Sequence, residues 1–241
     1  MKKVITTISK SFNQSEYVPY GYEIEFKEGS IFAPIHVKLS DDNDMFLVGK
    51  IDRIDILNVE DKSYARIVDY KSSSKDLSVD DIKEGLSLQL VTYLYAFIEN
   101  MNKKEGITVL PSAMLYFNLS DKLVSLKNYT NDTKLIEKEI IKTLRMKGIF
   151  LSDTEIIKKM DKKVDSEERL IDISLRTINS NKSKRVLNQE DYSKLCTDAT
   201  QILKQIGNEV LSGRVKIAPY KKRDVCKYCS YSSICRKDIC L

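Results

Sequence analysis

Gly49-Lys50-Ile51-Asp52-Arg53-Ile54-Asp55 and Ile67-Val68-Asp69-Tyr70-Lys71-Ser72, separated by the polar stretch Glu60-Asp61-Lys62-Ser63, decide how this chain folds. Both runs are rich in the β-branched and aromatic residues that suit strands, and the polar stretch between them reads as a hairpin turn. A hairpin centred near Asp61 and Lys62 places Asp52 roughly opposite Lys71. Strand side chains alternate with a period of two, so Asp69 and Lys71 share a face, and pairing brings Asp52 onto it. A slip of one residue would send Asp52 to the other face. An isolated Asp-x-Lys is ordinarily a surface ion pair of little worth. Here three charges converge between apolar residues. Two neighbouring carboxylates repel unless a cation lies between them, and hard oxygen ligands suit Mg²⁺ or Mn²⁺. Such an ion lowers the pKa of a bound water and offsets charge on a phosphate, while Lys71 positions that water or stabilises the transition state. Those are the parts that phosphodiester hydrolysis requires.

Strand chemistry continues on either side of the hairpin, over Tyr20–Phe26, Ile31–Leu39, Met45–Leu57 and Ala65–Tyr70, which together predict an antiparallel meander. Ile82, Leu86, Leu90, Leu94 and Phe97 then recur at helical spacing over Asp80–Asn100, and a further strand is expected at Ala113–Asn118, after Pro111. Gln89 and Tyr93 stand four apart on the apolar face of that helix. A buried amide needs partners, and the expected ones are the Lys71 strand and the backbone of the substrate. Helices are predicted over Thr133–Lys147 and Asp153–Lys162, with the charged stretch Asp161–Arg169 as solvated loop. Asn188 reads as a helix cap, and Tyr192, Leu195, Ala199, Ile202, Ile206 and Val210 form one apolar stripe running to Gly213. The class is α+β: a unit over residues 1–212, with a core at about 20–120 and a helical insertion at about 130–180, followed by a cysteine-rich basic tail over 213–241.

Apolar residues make up 42% of the 241, enough for a core without a disulfide framework. Lys and Arg outnumber Asp and Glu only by 40 to 35, so bulk charge says little about a polyanionic partner. No run approaches ~18 apolar residues and the N-terminal stretch lacks an apolar signal segment, which predicts no membrane partner and a cytoplasmic location. Four of the five cysteines fall in the last sixteen residues. Cys226-x2-Cys229-x5-Cys235, with Cys240 beyond, lies among Lys221, Lys222, Arg223, Lys227, Arg236 and Lys237. This spacing suits zinc or a [4Fe-4S] cluster and does not separate them. Cys196 lies beside a helical stripe and is expected in the core, and His36, the only histidine, reads as an ordinary strand residue. No Gly-x4-Gly-Lys-Ser/Thr occurs, so ATP hydrolysis is not expected in this chain.

Gly49-x-x-Asp52, then Asp69-x-Lys71, then Gln89-x-x-x-Tyr93, in that order, resembles the RecB-type nucleases of the PD-(D/E)xK superfamily. The resemblance implies a mixed central sheet flanked by helices, Asp52 and Asp69 as ligands of Mg²⁺ or Mn²⁺, Lys71 as the catalytic lysine, and Gln89 and Tyr93 as supporting residues. It also implies an acidic ligand at the start of the sheet, Glu23 in preference to Glu25. Such sites usually add a histidine from a helix before the first strand, and this sequence has none there. The cysteine tail, preceded by Ser212-Gly213-Arg214 and Ile217-Ala218-Pro219-Tyr220, is similar to the end of the B subunit of AddAB-type ATP-dependent helicase-nucleases. Pro111–Phe117 and Met146–Asp153 are in keeping with that likeness. It implies a [4Fe-4S] cluster on Cys226, Cys229, Cys235 and a fourth cysteine far upstream. No cysteine precedes Cys196, so the cluster is expected to be absent or incomplete. The implied function is that of the DNA exonuclease portion of a longer polypeptide, which works with a helicase-nuclease partner, the A subunit, on single-stranded DNA ends in recombinational repair. Two alternatives stand beside it: a CRISPR-associated iron-sulfur exonuclease, and an inert DNA-binding module.

Overall fold

The computed structural model describes residues 2–40, 42–73, 75–105, 108–120, 132–180, 182–216, 226 and 229–235. In chain order the elements are α1 (Lys2–Gln14), β1 (Val18–Phe26), β2 (Ile35–Lys38), β3 (Asp44–Leu47), β4 (Gly49–Val59), β5 (Lys62–Lys71), α2 (Val79–Lys83), α3 (Leu88–Glu105) and β6 (Val109–Asn118). Then come α4 (Thr133–Thr143), β7 (Lys147–Leu151), α5 (Thr154–Met160), α6 (Leu175–Ser180), β8 (Val186–Leu187), α7 (Gln189–Leu211) and α8 (Ser232–Cys235). Six strands make one mixed sheet in the order β1-β4-β5-β6-β7-β8, with β5 parallel to β6 and β7 parallel to β8.

The β4–β5 hairpin forms one position earlier than its sequence centre. Val59 pairs with Lys62, leaving Glu60 and Asp61 as a two-residue turn with Glu60 at φ 51°. The pairing runs to Arg53 opposite Val68, a register that sets Asp52 against Asp69 and not against Lys71. The offset is two residues, so the faces are unchanged. One face carries Asp52, Ile54, Ile67, Asp69 and Lys71, and α3 packs over it against β4, β5 and β6. The other carries Arg53, Asp55, Arg66, Val68 and Tyr70, where α1 lies with Phe12 over the Arg53 guanidinium at 4.3 Å.

Several sequence expectations are corrected. The run over Met45–Leu57 breaks at Val48, and its first part pairs with β2 as a separate two-stranded sheet, so the meander is only β1, β4 and β5. The helix over Asp80–Asn100 is two: α2 is followed by Gly85, whose φ of +77° is left-handed, and Leu86 is exposed in the link. The helix over Thr133–Lys147 stops at Thr143, because Gly148-Ile149-Phe150-Leu151 continues as β7 against β6. Gly148 is required there, since a Cβ would stand 1.8 Å from the Met114 carbonyl oxygen. The charged stretch Asp161–Arg169 is loop, but Asp161 is buried and accepts the N–H groups of Lys163 and Leu170, which ties the loop down. The stripe on α7 is buried through Ala199, while Ile206 and Val210 are exposed.

The α1 side of the sheet holds a buried charged cluster. Asp55 accepts from Arg53 Nε and Nη2 at 2.8 and 2.7 Å and from Arg66 Nε at 2.7 Å. Arg66 also lies under the Tyr17 ring, and the Tyr17 hydroxyl donates to Ser112 Oγ at 2.8 Å. Ser112 in turn donates to the Ala65 carbonyl at the bulge next to Pro111, a residue with no N–H for the ladder. Two guanidiniums thus depend on one carboxylate. Asp55→Ala should lower the unfolding free energy by about 3–5 kcal/mol, read from the urea midpoint at constant slope.

Candidate active site

Asp69 is the innermost member of the predicted constellation, its side chain 3% exposed against 24% for Lys71. Lys71 Nζ stands 2.7 Å from Asp69 Oδ2 and donates to Gln89 Oε1 at 3.2 Å. Gln89 Nε2 donates to Asp69 Oδ1 at 3.0 Å and lies 3.4 Å from the Tyr93 hydroxyl. The amide of α3 therefore bridges acid and lysine, spending its acceptor on one and its donor on the other. This is the partner set that a buried Gln requires. Asp52 is half-buried on the neighbouring strand, and its Oδ2 accepts the Tyr70 N–H at 2.9 Å where the β4–β5 ladder has ended. The structure thus brings Asp52, Asp69, Lys71, Gln89 and Tyr93 together at one end of the hairpin.

The glycine of Gly-x-x-Asp has a steric reason. A Cβ on Gly49 would meet Phe26 Cζ at 2.6 Å and Tyr93 Cε1 at 3.0 Å. Phe26 and Tyr93 are packed edge to face at 5.4 Å, so β4 passes beneath them only without a side chain at residue 49.

Glu23 falls level with Asp52 between the paired residues of β1 and β4, but both glutamates of β1 are engaged by lysines. Glu23, at φ 52° on the edge strand, pairs with Lys50, while Glu25 pairs with Lys27 at 2.6 Å. Among the described residues no group of three or more His, Cys, Asp or Glu side chains is gathered to hold a metal, so neither Glu23 nor Glu25 completes a preformed set with Asp52 and Asp69. The same holds for Cys226, Cys229 and Cys235, although the Cys229 N–H donates to the Cys226 carbonyl at 3.1 Å and Cys235 ends the short α8. Cys240, Ile217–Tyr220 and the basic residues Lys221, Lys222, Arg223, Lys227, Arg236 and Lys237 lie outside the described residues. The helix before the first strand, α1, carries no histidine and packs on the opposite face. His36 pairs with Asp44 at 2.7 Å and stacks on Phe46, and Cys196 is buried in α7, as expected of structural residues.

Two positive groups escaped the reading of the sequence. Lys50 is two residues before Asp52 and shares its face, a placement that period-two alternation could have revealed. Lys75 Nζ lies 5.2 Å from the Tyr116 ring centroid, brought there by a loop whose path no local pattern encodes.

The donor set fits a hard divalent cation. Asp69 Oδ2 is buried and, apart from its ion pair with Lys71, makes no hydrogen bond, and Asp52 supplies a second carboxylate beside it. Burial pushes the Asp69 carboxyl above the usual aspartate range, and the like charge of Asp52 adds to this, against the opposing pull of Lys71. The folded protein then binds that proton more tightly than the unfolded chain does, and stability falls as pH rises between the two pKa values. Asn at this position has no such dependence. The stability gain of Asp69→Asn over wild type should therefore grow as pH rises from about 4 and level off above the raised pKa, measured by urea titration of metal-free protein.

Comparison with known proteins agrees with this geometry. Residues 2–236 match the family described as the PD-(D/E)XK nuclease superfamily. Similar curated proteins include one from Clostridium acetobutylicum, named as the B subunit of an ATP-dependent helicase/deoxyribonuclease, 36% identical over 99% of this chain and 21% of that protein. The proteins of the same name from Alkaliphilus metalliredigens and Thermoanaerobacter sp. are 38% and 34% identical, each over 98% of this chain and 21% of their own length. The chain thus spans about one fifth of the length of these relatives. With Asp69, Lys71 and Gln89 in one bonded group, Asp52 level with Asp69, and the family match running through nearly every element, the chain belongs to the PD-(D/E)XK nuclease superfamily.

Proposed function

We propose that this chain is the nuclease domain from the B subunit of a helicase–deoxyribonuclease, hydrolysing DNA phosphodiesters with a divalent metal. The observation that carries this reading is the Asp69–Lys71–Gln89 group: a buried carboxylate with an oxygen lacking a hydrogen bond, an ammonium beside it, and an amide holding both. Asp52 and Asp69 would hold Mg²⁺ or Mn²⁺, with Glu23 joining only by leaving Lys50. A divalent ion at this position supplies an acidified water and offsets charge on the scissile phosphate. Lys71, partly exposed, presents its ammonium to a phosphate oxygen or to the attacking water. Gln89 ties the Lys71 and Asp69 side chains together, and Tyr93 closes the group from the next turn of α3.

The relatives' name supports a role with a helicase partner, the A subunit of such a complex, which would deliver single-stranded DNA ends to this site in the cytoplasm during recombinational repair. It also favours this assignment over a CRISPR-associated exonuclease. Among the described residues no helix is long and apolar enough to cross a membrane. Cys226, Cys229 and Cys235 are assigned as three ligands of a [4Fe-4S] cluster that Cys196 does not complete, since it is buried in α7.

Cleavage of end-labelled single-stranded DNA by the chain with Mn²⁺ or Mg²⁺ should fall by about 10²-fold or more in Asp69→Ala and in Lys71→Ala, and stop with EDTA. Equal cleavage by wild type and both variants would remove the catalytic assignment of Asp69 and Lys71. Iron analysis after anaerobic purification should give well under about four irons per chain; a full complement would overturn the incomplete-cluster assignment.

A further inference from the structure

Tyr116 is a large polar side chain beside the site to which the reaction assigns nothing. It is 2% exposed, and its hydroxyl is buried without a hydrogen-bond partner. The parallel pairing of β5 and β6 sets Tyr116 directly against Asp69, so the two side chains share a face. Lys71 Nζ lies 5.6 Å from the Tyr116 ring centroid and Lys75 Nζ 5.2 Å from it, which seats the phenol among the charged groups of the site. A buried donor without an acceptor therefore adjoins a buried carboxylate whose Oδ2 has an ion pair and no hydrogen bond. An unsatisfied buried hydroxyl costs roughly 1–3 kcal/mol, so the phenol calls for an explanation, and the carboxylate oxygen beside it has Lys71 as its one partner.

On the reading given under Proposed function, Lys71 has a second task. An ammonium that turns to a phosphate oxygen or a water loosens its contact with Asp69 Oδ2. Gln89 still holds Oδ1, at 3.0 Å. Oδ2 then needs another donor if the carboxylate is to keep its orientation toward a metal.

We propose that Tyr116 is a positioning residue, whose hydroxyl donates to the Asp69 carboxylate when Lys71 is engaged with the substrate. It acts through Asp69 and does not touch the reacting atoms. Burial, and after it the Asp69 charge, push the phenol up to about 12, so it keeps its proton at neutral pH. Asn118 also has a buried donor without a partner, its Nδ2, but it lies two residues on, level with Lys71, whereas Tyr116 is the residue paired with Asp69. The phenol is thus the donor placed for this exchange. Hydrogen bonds of this kind orient metal-binding carboxylates, and losing one typically costs about 10- to 100-fold in metal affinity or activity.

The test is Mn²⁺ binding by calorimetry to the metal-free full chain saturated with a nuclease-resistant phosphorothioate single strand, which engages Lys71, for wild type, Tyr116→Phe and Asp69→Asn, together with single-strand cleavage as a function of Mn²⁺ concentration. Tyr116→Phe should weaken Mn²⁺ binding by about tenfold or more and raise the half-maximal Mn²⁺ concentration for cleavage in step. At saturating Mn²⁺ its KM for the oligonucleotide should be unchanged. Its thermal midpoint should match or exceed that of wild type, because an unsatisfied buried hydroxyl has been removed. A merely structural Tyr116 predicts the same thermal result with Mn²⁺ binding untouched. Wild-type Mn²⁺ affinity in Tyr116→Phe, with binding lost in Asp69→Asn, would overturn this proposal while the metal site stands. Wild-type affinity in both variants would overturn the metal site itself, and the role of Tyr116 with it.

Discussion

A two-residue turn at Glu60 and Asp61 fixes which side chains meet across β4 and β5, and the chemistry of both sheet faces depends on it. With Val59 against Lys62, the ladder brings Arg53 opposite Val68 and Asp55 opposite Arg66 on one side. Asp52 and Asp69 then come level on the other. Lengthening the turn by one residue would exchange the faces of one strand relative to the other, parting the site's two carboxylates and parting Asp55 from Arg66. Glu60 accepts a positive φ of 51°, an unfavourable conformation for a residue with a Cβ, to keep that register.

The two faces solve the problem of buried charge in different ways. Behind the sheet, Arg53, Asp55 and Arg66 neutralise one another and the rings of Phe12 and Tyr17 cover the remaining positive charge, so α1 is held by a closed group. In front, Asp69, Lys71 and Gln89 leave an acceptor with no hydrogen bond and a neighbouring phenol with none. Burial, with the Asp52 charge adding to it, holds the Asp69 carboxyl above its usual range despite Lys71. A site that must exchange partners during a reaction keeps some of its groups short of satisfaction.

Helix α3 connects these demands to the core. Leu90, Leu94 and Phe97 are buried against the sheet, and the same helix carries Gln89 and Tyr93 to the end of the hairpin. Gly49 lets Tyr93 and Phe26 close over β4. The crossover from β5 through α2 and α3 then returns the chain as β6 parallel to β5, which is why Tyr116 comes beside Asp69 although the two are far apart along the chain.

What could be read directly from the residues was what depends on local period and on short spacing. Period-two alternation puts Asp69 and Lys71 on one face, and Asp52 with them under any even register offset, so the expected face holds although the expected partner of Asp52 does not. The four-residue step joins Gln89 to Tyr93, and Asn188 caps α7 as its side chain and position suggest. Strands that owe their existence to distant partners were not legible: β7 looks like the end of a helix until β6 lies beside it, and β2 and β3 look like parts of longer strands. The pairing of Glu23 with Lys50, the burial of Asp161, and the meeting of Lys75 and Tyr116 beside Asp69 are likewise products of the folded chain alone. Alternation and helical step are properties of a few consecutive bonds, and the sequence determines them by itself. Register across a turn, parallel pairing after a crossover, and the satisfaction of a buried group depend on energies summed over segments far apart in the chain, which only the tertiary structure decides.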